Sequence, residues 1–196
     1  MSVSNLAGIV SALNSGDVIV YPTDTLYGLG ADIYNDEAVK RIFQLKKRGF
    51  DQPLSVAVAN LGDLEDIAFV DDRVRRVAEE FLPGSLTIVL KKKNVISDLV
   101  TAGSDTIAIR IPDNPIALRL LEVFGPLTCT SANIHGDDTS ANVDDIRKDF
   151  EEDIMVYIDA GQLGGMPSTI IDLSGDDPQI LREGAIPGKE ILKAIE

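Results

Sequence analysis

The chain reads as a single-domain α/β protein in which helices pack on a twisted sheet of mixed parallel and antiparallel strands. Three observations predict this. Short, apolar, β-branched segments alternate with segments whose apolar residues recur at helical spacing. The last strand-like segments follow one another with little helix between them, which calls for antiparallel pairing. The 196 residues, 44% hydrophobic and 26% charged, suffice for one ordinary core, and no linker rich in Pro, Gly or Ser divides them. Residues 1–196 are therefore read as one domain.

The elements follow in order. Leu6, Ile9, Val10 and Leu13 share a helical face, and Gly16 is placed to end that helix. Val18 to Tyr21 is a strand broken by Pro22. Asp36 reads as the N-cap of a helix carrying Val39, Ile42, Phe43 and Lys46. Leu54 to Ala59 is a strand. A helix starts at Asp71 or Asp72, carries Val74, Val77, Ala78 and Phe81, and stops at Pro83-Gly84. Leu86 to Leu90 and Thr106 to Ile111 are strands by their β-branched content. Pro115 fits the first turn of a helix that reaches Phe124 and closes at Gly125. Leu127 to Thr130 is a strand, and Val143 to Phe150 a short acidic helix. Ile154–Ile158, Thr169–Leu173 and Gln179–Arg182 complete the strands, and Pro187 opens a last helix.

Composition removes several classes of function. The 18 basic against 32 acidic residues give a net charge of −14, which repels a polyanion from most of the surface. One cysteine, Cys129, excludes an internal disulfide and a cysteine-rich zinc site, and suits a reducing cytoplasm. One histidine, His135, excludes schemes that need two. Aromatics at 5% and the absence of Trp argue against base-stacking platforms. The first residues carry no basic and apolar signal pattern, and no apolar run approaches a membrane span. A cytoplasmic protein without membrane contact is expected.

The polar loops at strand ends hold the candidate chemistry. Pro22-Thr23-Asp24-Thr25-Leu26-Tyr27-Gly28-Leu29-Gly30 follows a strand with hydroxyls, amides and glycines, and is either a plain turn or a ligand loop. It is not a dinucleotide fingerprint, since Ile33 stands where a third Gly belongs, and no Walker motif occurs. Lys46 and Arg48 close a helix, where they complement its dipole or face phosphates. Arg110 interrupts an apolar strand, on the face of Ala108. It sits either on an edge, in water, or against an anion. Thr130-Ser131-Ala132-Asn133 follows another strand, Ser168-Thr169 precedes one and Arg182 ends one. Hydroxyls, arginines and a lysine at strand ends of an acidic protein suit a phosphate plus a carboxylate. Cys129 reads as a buried small hydrophobe and His135 as a solvated residue. The acidic run from Asp137 to Asp153 reads as a solvated face without the ordering of a calcium loop, and no metal site is expected.

Seven segments in this order resemble the YrdC-like family, the threonylcarbamoyl-AMP synthases of the short, single-domain type. They are Tyr21 to Gly30, Lys46 to Leu54, Pro83 to Thr87, Thr106 to Pro112, Ser131 to Asn133, Pro167 to Ile171 and Leu181 to Gly184. The resemblance implies a twisted mixed sheet with a concave cationic cleft. It implies L-threonylcarbamoyladenylate and pyrophosphate made from L-threonine, bicarbonate and ATP, with Mg2+ accompanying ATP. A separate transferase complex then modifies tRNA, so stable tRNA binding is not expected.

By the same resemblance, Thr23, Ser168 and Arg110 contact threonine. Lys46, Arg48, Gln52, Thr106, Ser131, Asn133, Thr139 and Arg182 face ATP. Ala57, Gln52 and Asn114 depart from the residues many relatives carry, which touches the amino-acid pocket more than the nucleotide site. No general base is nominated. Two other readings compete: a paralogue that binds nucleotide or RNA without making the adenylate, and an acidic regulatory subunit acting through its surface. The pairing of Lys46 and Arg48 with Ser131 and Asn133 favours the enzyme.

Overall fold

The computed structural model describes residues 3–195. Helix α1 (Val3–Asn14) leads through Gly16, whose φ of +83° only glycine adopts freely, into β1 (Ile19–Pro22). Strand β2 (Tyr27–Gly30) returns antiparallel to β1, with Tyr21 opposite Gly28 and Pro22 opposite Tyr27. This strand lies within the segment read from sequence as a polar loop. Gly30 has a physical reason: a Cβ there would stand 2.9 Å from the Tyr21 ring.

Helix α2 (Asp36–Lys46) starts one residue earlier than expected. Asn35, not Asp36, is the N-cap, its side chain accepting from the amides of Glu37 and Ala38. Lys47 ends the helix in the left-handed region at φ 50°. Then come β3 (Ser55–Ala57), α3 (Leu61–Ile67), α4 (Asp72–Phe81) capped by Asp71, β4 (Leu86–Lys91), α5 (Asp98–Thr101) and β5 (Thr106–Arg110). The short helices α3 and α5 were not legible in the apolar pattern. Helix α6 (Pro115–Phe124) has Pro115 in its first turn and Asn114 as cap.

The segment expected as one strand, Leu127 to Thr130, is two. Residues Leu127–Thr128 form β6 and Thr130–Ser131 form β7, and they belong to different sheets. Helix α7 (Val143–Phe150), β8 (Val156–Tyr157), β9 (Thr169–Asp172), β10 (Gln179–Arg182) and α8 (Gly188–Ile195) complete the chain.

The strands form two mixed sheets where one was expected, a four-stranded one of order β7-β2-β1-β8 and a six-stranded one of order β10-β9-β4-β5-β3-β6. As the sequence implied, β9 and β10 pair antiparallel, while β3–β5 and β4–β9 are parallel. The main core joins the helices to one face of the larger sheet through Val56, Ile88, Ile109 and Ile171. A second core lies under α1 and α6, around Ile9, Tyr21, Ala57 and Leu127. No described helix is long and apolar enough to cross a membrane.

Strand alternation sets the site apart from the core. On β5, Ile107 and Ile109 enter the core while Ala108 and Arg110 face a cavity; on β4, Leu86 and Ile88 do the first and Thr87 and Val89 the second.

Candidate active site

Where the two sheets meet, they enclose a cavity of about 480 Å³, within the range of small-molecule sites. Three arginines line it, Arg48, Arg110 and Arg182, with the hydroxyl residues Thr23, Thr25, Ser55, Thr87, Thr130, Ser131, Thr139 and Ser168. No carboxylate is among its lining residues, in a protein of net charge −14. The lining presents donors and no acid, which favours an anion of several charges.

Each wall is built by local chemistry. Thr23 is buried in the β1–β2 turn. Its Oγ accepts from the amides of Thr25 and Leu26 and donates to the Leu26 carbonyl at 2.6 Å, so the hydroxyl shapes the turn that displays Thr25. Arg110 sits on β5, between β4 and β3, and the edge-strand alternative is thereby excluded. Its guanidinium is 5% exposed and meets an anion of the chain itself: Nη2 donates to Asp24 at 2.6 Å, and Nη1 to the Thr25 hydroxyl at 3.1 Å. Nε is buried without a partner. Ser168 shares a hydrogen bond of 2.8 Å with Thr87, and Arg182 donates to the Ser168 carbonyl at 2.7 Å and its hydroxyl at 3.2 Å.

Arg48 follows the left-handed Lys47, which turns the chain back toward the cavity. Its Nη2 donates to the Pro53 carbonyl, and its Nε is buried and unpartnered. Burial lowers the proton affinity of Arg48, and also of Arg182, which the nearby positive charge of Arg110 lowers further. Cations desolvated in this way gain most when an anion arrives.

Lys46 occupies neither alternative read from sequence. It is 2% exposed, and its ammonium donates to the carbonyls of Ser131 at 2.5 Å and Asn133 at 2.8 Å and to Asn133 Oδ1 at 3.1 Å. Burial first, then the Arg48 charge, brings its pKa down to about 8, yet three acceptors keep the ammonium the resident form at neutral pH. Asn133 spends its amide on Ile134 and Asp137 carbonyls and its oxygen on Lys46 and the Ser131 hydroxyl. The pair thus stands behind Ser131 and fixes it on the cavity wall.

The structure therefore brings Thr23, Arg48, Arg110, Ser131, Thr139, Ser168 and Arg182 to one cavity, with Lys46 and Asn133 joined to it through Ser131. Two further candidates stand outside its lining without such a link. Gln52 lies on the loop ahead of Pro53, and the Thr106 hydroxyl is paired with Ser104 at 2.9 Å. Cys129, expected in the core, is half-buried in the cavity wall, where burial raises its thiol pKa. His135 is exposed as expected. Sequence reasoning gave no role to Thr25, Thr87 or Asp24. The first two carried a signal, since Thr87 alternates with core residues on β4 and Thr25 neighbours Thr23.

Gly184 holds the floor of the site. A Cβ there would collide with the Pro167 carbonyl oxygen and come within 2.5 Å of Ser168 C and Thr169 N. Gly184→Ala is expected to destabilise the fold by about 2–3 kcal/mol and to displace Ser168; thermal unfolding of the purified variant checks this.

The Sua5/YciO/YrdC family, described as telomere recombination, matches residues 11–184. A putative threonylcarbamoyl-AMP synthase of Methanocaldococcus jannaschii is 41% identical over 180 residues, covering 91% of this chain and 85% of that protein. Among solved structures, Pyrococcus abyssi Sua5 complexed with L-threonine is similar at TM-score 0.92 and 38% identity, over 97% of this chain and 57% of that one. This chain thus spans little more than half of the Pyrococcus protein. Escherichia coli YciO is similar at TM-score 0.88 and 32% identity, over 95% of this chain and 92% of that one. Given the shared fold, the identity and the span of the match, the chain belongs to the Sua5/YciO/YrdC family.

Proposed function

We propose that the chain is an L-threonylcarbamoyladenylate synthase that joins L-threonine, bicarbonate and ATP. The observation that carries this is the cavity lined by three arginines and a set of hydroxyls, with no carboxylate among its lining residues. The similarity to the Methanocaldococcus protein and to threonine-complexed Sua5 supports the same reading.

In this mechanism the threonine amine forms a C–N bond with bicarbonate, water leaves, and a carbamate results. A carbamate oxygen then attacks the α-phosphorus as the bond to the β-phosphate breaks, its electron pair leaving on pyrophosphate. The chain holds the partners and stabilises charge. Arg110, Thr23 and Ser168 take threonine. Arg48, Arg182, Ser131 and Thr139 take the phosphates, with Lys46 and Asn133 holding Ser131 from behind; Gln52 and Thr106, outside the cavity lining, are given no direct role. Mg2+ would be carried in by the phosphates of ATP, whose charge it would share with the arginines. The adenylate passes to a tRNA-modifying transferase.

Purified chain incubated with ATP, L-threonine and labelled bicarbonate is expected to release labelled adenylate and pyrophosphate in a threonine-dependent way. Salt-sensitive RNA binding without such product defeats the proposal and favours a binding module.

A further inference from the structure

We propose that Asp24 is a positioning residue for this reaction, acting through Arg110; the inference rests on the synthase reading above. Asp24 lies in the turn between β1 and β2, and its side chain is 11% exposed. Its carboxylate meets three donors: Arg110 Nη2 at 2.6 Å, the Asp113 backbone amide three residues further on at 3.2 Å and, from another part of the chain, the Ser85 hydroxyl at 2.7 Å. A carboxylate that only balanced charge would need the first of these alone. This one is braced by the other two, from the segments that lead into β4 and α6.

The brace acts on the guanidinium. Arginine loses considerable rotamer freedom when it binds an anion. Here the Asp24 carboxylate, the Thr25 hydroxyl and the Gly84 carbonyl at 3.4 Å already hold both terminal nitrogens. Among the described residues only Nε lacks a partner, and it is buried in a residue that lines the cavity. A ligand carboxylate therefore meets a guanidinium whose orientation is already set.

The two effects of Asp24 oppose each other, which makes them separable. As an anion it repels a ligand carboxylate; as a brace it prepares the site for one. Asp24→Asn keeps the shape and removes the charge. Positioning predicts that the KM and the calorimetric Kd for threonine rise about 10- to 30-fold, with KM for ATP within about 2-fold. Tighter or unchanged threonine binding overturns the proposal.

Asp24→Glu returns the charge without the geometry, and stays impaired if Asp24 positions Arg110; full recovery overturns it. Ser85→Ala leaves both charges and removes one brace, and is expected to weaken threonine about 3- to 10-fold. It decides the matter if the Asp24 variants fail to fold, and unchanged binding counts against the role. Failure of the wild-type chain to bind threonine defeats the synthase reading itself, whereas failure confined to the variants defeats only the role of Asp24.

Discussion

Arg110→Ala is expected to lower kcat/KM for threonine by about 10³-fold, the scale on which a desolvated site suffers when its charge-assisted donor is removed. The requirement for ATP should change far less, because Arg48 and Arg182 remain. The same change strands the Asp24 carboxylate in a nearly closed pocket, with side-chain exposures of 6% and 11% for the pair. Removing one member of such a pair costs about 3–5 kcal/mol of stability. A second substitution separates the two effects. The double variant Arg110→Ala/Asp24→Ala removes the stranded charge and should regain much of the stability, while threonine turnover stays as low as in the single variant. Denaturant unfolding and steady-state kinetics on the three proteins check this; an equal fall in affinity for ATP and threonine would show that the pocket is divided otherwise.

Lys46→Met is expected to abolish most turnover and to destabilise the fold by about 2–4 kcal/mol. The methionine fills similar volume, but the Ser131 and Asn133 carbonyls and the Asn133 side-chain oxygen each lose the ammonium in a buried place, the first keeping the Asn133 amide and the last the Ser131 hydroxyl. Ser131 then loses its support. The pH dependence has a defined sign. Burial depresses Lys46 to about 8 from its ordinary 10.5. Between these values the unfolded chain holds a proton that the native chain releases, so this group's contribution to stability rises with pH across that window. Affinity for phosphates runs the other way. Thus kcat/KM for ATP should fall as pH rises through about 8, and this limb should be missing from whatever activity Lys46→Met retains. An alkaline limb that persists unchanged in the variant would assign it to another group.

The longer helices were legible in the sequence where their ends carry chemistry: Asp71 caps α4, and Pro115 marks the first turn of α6. What misled was tertiary. Gly28 and Gly30 disfavour a strand by propensity, yet the Tyr21 ring packs where a side chain would stand, so β2 forms. Leu127 to Thr130 has the pattern of one strand, and nothing local shows that it changes sheets at Cys129.

The site divides in the same way. Arg110, Ser131, Ser168 and Arg182 stood out as polar residues at strand ends and do meet at the cavity. Lys46 looked like a helix-end cation because its burial depends on two carbonyls of a segment 85 and 87 residues away. Asp24 was one acid among many, and only the fold distinguishes it.

The crossing at Cys129 also bears on how ligands enter. The amide of Cys129 binds Ser55 of the larger sheet, while the Thr128 hydroxyl binds Leu29 and Ala31 of the smaller sheet and its continuation, all within two consecutive residues. The seam is stitched from inside, so swinging the two sheets apart would break these hydrogen bonds. Traffic must then pass over the rim, and exchange rates should respond to substitutions in the 47–53, 137–142 and 161–167 loops rather than along the seam.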